Sequence, residues 1–248
     1  MGLIVQKFGG SSVATTEKLK LVAEHIKKEL DLNNQVVVVV SAQGKTTDKL
    51  IAEEKEITKN ASPREHDVLV ATGEQITIAK LSMVLQEQGI KAVSLTGWQI
   101  PIITSSNYSN SRIRYVHNKT IREYLTAGNV VVVAGFQGID ENGNITTFGR
   151  GGSDTTAVAL AASLAADRCD IFTDVDGVYS ADPKLDSTAV KYDEISYKEV
   201  LAQDLKVMDS TATALCKDNN IPLLVFAISD PENIVRAIKG EKVGTIVS

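Results

Sequence analysis

The chain has little of what would place it outside the ordinary globular enzymes and binding proteins. Only two cysteines occur in 248 residues, Cys169 and Cys216. They are far apart and lack metal-type spacing; buried thiols in a reducing compartment are expected, with a disulfide as the alternative. Three histidines, His25, His66 and His117, are scattered along the chain and read as structural or solvated groups. The single tryptophan, Trp98, reads as packing. Positive charge is not in excess: the net charge is −5, which removes any global electrostatic case for nucleic acid or an anionic membrane. An anionic ligand would have to be met by locally placed Lys, Arg and backbone N–H groups. Apolar runs such as Val36–Val40 fall far short of the roughly 20 residues that span a bilayer. No signal-peptide pattern is visible, because Lys7 and then two glycines follow Leu3-Ile4-Val5. No repeat or low-complexity linker appears. The expectation is a cytoplasmic protein of one large domain or two intimate lobes, without membrane or nucleic-acid partners.

What is present is a set of polar glycine loops at the ends of apolar strands. Leu3 to Phe8 reads as a buried strand running into Gly9-Gly10-Ser11-Ser12. A helix with apolar residues at Leu19, Val22, Ala23 and Ile26 follows, with His25 and His117 expected at helix surfaces or starts. Val36–Val40 reads as a central strand of a parallel sheet and ends in Ser41-Ala42-Gln43-Gly44-Lys45-Thr46-Thr47-Asp48. A charged helix breaks near Asn60–Pro63. Val68–Gln88 reads as a long helical stretch interrupted at Thr72-Gly73-Glu74-Gln75. Strands are expected at Ala92–Leu95, Val130–Ala134, Ile171–Thr173, Leu223–Phe226 and Thr245–Val247. Ile100–Thr104 with Arg112–Val116, and the segment around Asp140-Glu141-Asn142-Gly143, read as hairpins. Helices are expected at Lys119–Thr126, after Gly152, and at Tyr197–Ala202, Asp209–Asp218 and Glu232–Lys239. Strands alternating with helices imply an α/β fold whose mainly parallel sheet carries helices on both faces. Ligands in such folds sit past the C-terminal ends of the strands, where these loops would converge.

The richest loop is Phe148-Gly149-Arg150-Gly151-Gly152-Ser153-Asp154, with three glycines in four residues. Glycines there let backbone approach closely, Ser153 and Asp154 suit an N-cap, and the helix start favours an anion. Arg150 adds a forked donor. A plain strand-to-helix turn is the alternative. Together with Lys7 at a strand end and the acidic segment Asp174–Asp182, the loops suggest phosphoryl transfer, which is mostly positioning and charge neutralisation. Lys7 would bridge donor and acceptor, unless it is a surface lysine. Asp154, Asp174 and Asp182 would orient it or meet Mg²⁺ through water and phosphates, unless they are caps and turns. Gly44-Lys45-Thr46 lacks the upstream glycine of a Walker loop.

Lys7-Phe8-Gly9-Gly10-Ser11-Ser12-Val13-Ala14 resembles the opening motif of aspartokinases. So do Val39-Val40-Ser41-Ala42 through Asp48, Arg64-Glu65 through Gln75, Ser94-Leu95-Thr96-Gly97-Trp98-Gln99, and Gly149–Ala157. These blocks lie in roughly the first 180 residues. Asp182-Pro183-Lys184 through Asp193, and Leu205-Lys206-Val207-Met208-Asp209-Ser210-Thr211-Ala212, are similar instead to bacterial UMP kinase, as are the segments that follow them. The change near Thr173–Asp182 reads as a chimaera, constructed or natural. Both resemblances imply the amino acid kinase fold, an open three-layer αβα sandwich. The expected organisation is one domain over residues 1–248, with an acceptor lobe over about 1–150 and an ATP lobe over about 151–248. No ACT regulatory domain, and so no feedback inhibition by lysine or threonine, is expected.

The resemblance implies ATP, Mg²⁺ and L-aspartate as ligands, and no metal-ligating residue is assigned from it. A homo-oligomer is compatible with it. Lys7, Gly9 and Gly10 would contact the phosphates, with Lys7 at the transferring group and Asp154 organising Lys7. Ser41, Thr47, Glu74, Arg150 and Ser153 would bind aspartate, Glu74 taking its ammonium. Thr173, Asp174, Tyr179, Asp182, Lys184, Lys206 and Val207 would frame the nucleotide. Gln43, His66, Ile100-Pro101, Ser105 and Tyr108 depart from the aspartokinase pattern, which bears on the substrate loops. The alternatives are UMP as acceptor, and a scaffold that binds nucleotide without turnover.

Overall fold

In the computed structural model, the residues described are 2–149, 151–173, 176–181, 183, 185–186, 188–203, 205, 210–227, 236, 241 and 243–248. They form a three-layer αβα fold. In chain order the elements are β1 (Leu3–Phe8), α1 (Thr16–Asp31), β2 (Gln35–Val40), α2 (Thr46–Ile57), α3 (Pro63–Val70), α4 (Thr72–Glu87) and β3 (Ala92–Leu95). Next come β4 (Ile102–Thr104), β5 (Ile113–Val116), α5 (Lys119–Thr126), β6 (Val130–Ala134), β7 (Gln137–Ile139), β8 (Ile145–Thr147), α6 (Gly152–Leu164) and β9 (Arg168–Thr173). The chain closes with β10 (Glu194–Ile195), α7 (Tyr197–Ala202), α8 (Ser210–Asp218), β11 (Leu223–Ala227) and β12 (Thr245–Val247).

The main sheet has the order β10-β12-β11-β9-β1-β2-β6-β3. Its pairs are parallel except β11 with β12. The unbroken apolar runs of β2 and β6 follow from burial on both faces. Val37, Val39, Val131 and Val133 point into one core with α5 and α6, while Val36, Val38, Val40, Val130 and Val132 point into the other with α1 and α4. The chain leaves β1 on one side to β2 and returns on the other to β9. That reversal opens a crevice beyond the C-terminal ends of these strands. A smaller sheet, β5-β4-β7-β8, carries the two expected hairpins and leads the chain from β6 into α6.

Several expectations are corrected. Thr72–Gln75 does not interrupt a helix; it is the first turn of α4, and the only step is at Ala71, where α3 hands over to α4. By length and apolarity this 25-residue stretch would pass as a membrane span, but half of its most apolar 18-residue window is buried inside the fold, as in a core helix. His25 is fully buried, on the same stripe as Val22, Ile26 and Glu29, with its ring 4.6 Å from that of Phe172. β9 begins at Arg168 rather than Ile171 because Arg168 and Asp170 satisfy each other within the strand, Nε to Oδ1 at 2.5 Å. Cys169 and Cys216 are free and buried. The expected helix at 232–239 lies outside the described residues.

Candidate active site

Where β1, β2 and α6 meet, a cleft of about 370 Å³ is lined by Lys7, Gly9, Gly10, Ser41, Ala42, Gly44, Thr47, Glu74, Phe136, Gly149, Gly151, Gly152, Ser153 and Asp154. Eight of the residues singled out from the sequence thus share one cavity: Lys7, Gly9, Gly10, Ser41, Thr47, Glu74, Ser153 and Asp154. Arg150 itself lies outside the described residues, as do Asp174, Asp182, Lys184, Lys206 and Val207.

At one wall, Lys7 at the end of β1 and Asp154 in the first turn of α6 form an ion pair, Nζ to Oδ1 at 2.7 Å. Both side chains keep little exposure, 12% and 14%, so the cation stays directed into the cleft rather than into bulk water. Ser153 and Asp154 are not caps. The N-cap is Gly151 at φ 73°, in the left-handed region that glycine tolerates, so both side chains fall inside the helix and face the cleft. Ser153 Oγ sits 2.9 Å from Ser41 Oγ, tying α6 to the end of β2. Gly135 makes this approach feasible: a Cβ there would lie 2.7 Å from Ser153 Oγ and 3.0 Å from Val40 O.

The start of α4 forms another part of the lining. Gly73 lets α4 press on the β2 loop, since a Cβ there would lie 2.7 Å from that of Ala42. The Ala42 N–H then donates to Glu74 Oε1 at 2.9 Å. Glu74 is 3% exposed, and its second oxygen, Oε2, has no hydrogen-bond partner within the described protein. Burial pushes its carboxyl up to about 7, with the Ala42 N–H only partly offsetting that. A buried carboxylate oxygen with no donor calls for a cation or polar hydrogen from a ligand. Gly10 serves a related purpose: its Cβ would lie 2.6 Å from Ala42 O, so it joins the two strand-end loops.

Thr173, at the C-terminal end of β9 next to β1, and Tyr179 do not line this cleft. The Tyr179 hydroxyl instead donates to Asp176 Oδ1 at 2.5 Å, and Lys191 Nζ lies 3.5 Å from that carboxylate. Ala42, Gly44 and Phe136 line the cleft without having been singled out as site residues. The first two stand in a loop already marked as polar and glycine-containing. Phe136 carries φ 69° without being glycine, which no sequence pattern announces. No group of three or more His, Cys, Asp or Glu among the described residues could hold a metal ion.

Residues 2–227 match the amino acid kinase family. The chain belongs to the amino acid kinase family. Among amino acid kinases it is 52% identical to the aspartokinase of Geobacillus stearothermophilus over 235 residues, 94% of this chain and 58% of that one. The chain thus spans little more than half the length of that relative. The likeness to aspartokinases is not confined to the first 180 residues, because a 235-residue match must run well past them. The structure of E. coli aspartokinase III in complex with aspartate and ADP superposes with a TM-score of 0.84 at 26% identity, covering 99% of this chain and 64% of that one. UMP kinase from Bacillus anthracis superposes with a TM-score of 0.75 at 24% identity, covering 100% of this chain and 96% of that one, a likeness of fold alone.

Proposed function

We propose that this chain is the catalytic part of an aspartokinase, transferring the γ-phosphoryl group of ATP to the β-carboxylate of L-aspartate to give 4-phospho-L-aspartate and ADP. The observation that carries this reading is Glu74: a buried carboxylate with one oxygen unpartnered, lining the same cleft as the Lys7–Asp154 pair. An α-ammonium supplies the missing donor; UMP has no such cation. The printed description of the E. coli neighbour as an aspartate and ADP complex supports the same ligands here.

A β-carboxylate oxygen of aspartate attacks Pγ, the bond from Pγ to the β,γ-bridging oxygen breaks, and ADP leaves with that electron pair. No general base is required, since the acceptor is already ionised at neutral pH. Lys7 neutralises charge on the transferring group, Asp154 holds Lys7, and Ser41, Thr47 and Ser153 position the acceptor. Arg150 takes an acceptor carboxylate in this proposal. Gly9 and Gly10 meet the phosphates. Thr173, Asp174, Tyr179, Asp182, Lys184, Lys206 and Val207 are proposed to frame the nucleotide, within a division into an acceptor lobe (1–150) and an ATP lobe (151–248). Mg²⁺ is assigned to the nucleotide phosphates, where it would neutralise their charge.

The test is product trapping. With ATP, Mg²⁺ and aspartate, hydroxylamine should yield aspartyl hydroxamate, and the Glu74→Gln variant should need about 10- to 100-fold more aspartate, the value of a charge-assisted hydrogen bond. Absence of hydroxamate from the unmodified chain contradicts the proposal. A second reading, UMP as acceptor, draws on Asp182–Asp193 and Leu205–Ala212, the motifs similar to UMP kinase. The same motifs support the narrower proposal of a chimaeric nucleotide lobe joined near Thr173–Asp182. Nucleotide binding without turnover is the reading left if neither acceptor is phosphorylated.

A further inference from the structure

Asp67 lies on α3, outside the cleft, and is fully buried. Its Oδ1 accepts from Ser109 N at 2.9 Å, Ser109 Oγ at 3.0 Å and Thr147 Oγ1 at 2.8 Å. Its Oδ2 accepts from Ser109 N at 2.9 Å and Thr147 N at 2.8 Å. Two separate segments are therefore fastened to one carboxyl: the loop between β4 and β5, and the last residue of β8. These hydrogen bonds offset the cost of its burial.

Both fastened segments grip the glycine turn. Ser111 N donates to Thr147 O at 2.9 Å, closing the loop onto β8. Thr147 is followed directly by Phe148, whose N–H donates to Phe136 O at 3.1 Å, and by Gly149. Gly149 is at φ 77°, and a Cβ on it would lie 3.2 Å from Ser109 O, so the loop is the outer wall of the turn. Gly152 N then donates to Gly149 O at 3.2 Å, passing the constraint into α6, where Ser153 and Asp154 stand. On its other side Asp67 is seven residues before Glu74, and α3 meets α4 with a break at Ala71 only.

We propose that Asp67 is a positioning residue of the acceptor site: it fixes Gly149 and the start of α6 at one spacing from the helix that carries Glu74. This rests on the aspartokinase reading, in which one end of the acceptor meets Glu74 and the other meets the turn. A spacing error of about 1 Å in such a site costs on the order of 100-fold in rate. Asparagine is no substitute, because in either orientation its NH₂ faces an N–H of Ser109 or Thr147.

The test compares Asp67→Asn and the milder Thr147→Val, which removes only the hydroxyl bond, with the unmodified chain. Steady-state kinetics should show the aspartate KM raised by about 10-fold or more in D67N and about 3-fold in T147V, the scale of one lost hydrogen bond, with the ATP KM changed by less than about 2-fold. Hydrogen exchange over 147–153 should quicken in both variants while β1, β2 and β6 stay protected. If D67N does not fold, T147V carries both measurements. A loss of thermal stability with both KM values and the exchange of 147–153 unchanged per folded molecule would overturn the proposal. If the unmodified chain shows no aspartate-dependent turnover, the aspartokinase reading fails, whereas exchange over 147–153 still decides whether Asp67 holds the turn.

Discussion

Glu74 makes the sharpest claims at the scale of single residues. Its carboxyl titrates near pH 7 in the folded protein because it is buried, against 4.5 for an ordinary glutamate. Between these values the folded chain holds a proton that the unfolded chain releases. Stability contributed by the neutral group is therefore intact below about 4.5 and is lost as pH rises toward 7. Glu74→Gln keeps an acceptor for the Ala42 N–H and does not titrate. Its melting temperature should match the unmodified chain at acid pH and exceed it at pH 8, by a difference on the order of 3 kcal/mol in stability. An ammonium ligand favours the ionised form, so aspartate binding should release a proton below pH 7 and weaken by about tenfold per pH unit further down. Calorimetry in buffers of different ionisation enthalpy reads both effects. The sequence marked Glu74 only through the resemblance of its block. Nothing in its spacing revealed that Gly73 presses α4 onto Ala42 and leaves one oxygen unpartnered.

Elements meet through glycines in this site, and substitutions there test the arrangement without touching a charged group. Gly135→Ala would place a methyl 2.7 Å from Ser153 Oγ. Overpacking of this kind costs about 1–3 kcal/mol, and Ser153 cannot keep its place beside Ser41. Activity should drop by more than about tenfold, with a modest fall in melting temperature, since a small displacement in the site costs more rate than stability. The strands and most helices were legible because apolar runs bounded by polar glycine loops are the usual mark of a parallel sheet. His25 and the start of β9 were not. In each case a polar residue is accommodated because a distant partner satisfies or packs against it, as Glu29 does for Arg168 and Phe172 for His25. The helix N-cap at Gly151 was also hidden, because Ser153 and Asp154 are the stronger capping residues by type while φ 73° favours glycine.

Across the whole molecule, the site stands at one end of the β1–β9 pair and a buried charge network stands near the other. Arg168 contacts Glu29 and Asp170, both fully buried, and Asn34 donates to Glu29 Oε2 at 2.7 Å. Burial, then the neighbouring Asp170, raises the Glu29 carboxyl, with Arg168 opposing. Arg168→Met should cost about 3–5 kcal/mol, since it leaves carboxylates buried without their cation. Denaturant unfolding measures that, and the KM values of the remaining folded protein should be unchanged, because no residue of the network lines the cleft. The family is thus secured by the fold and by the match over residues 2–227, whereas the acceptor rests on the cleft between Lys7, Glu74 and α6. The most direct measurement is ADP release from ATP and Mg²⁺ with aspartate or UMP in parallel, with Lys7→Ala as control. Aspartate-dependent release that falls by at least about 100-fold in the control is the predicted result. Release with UMP alone, or none with aspartate, would contradict it.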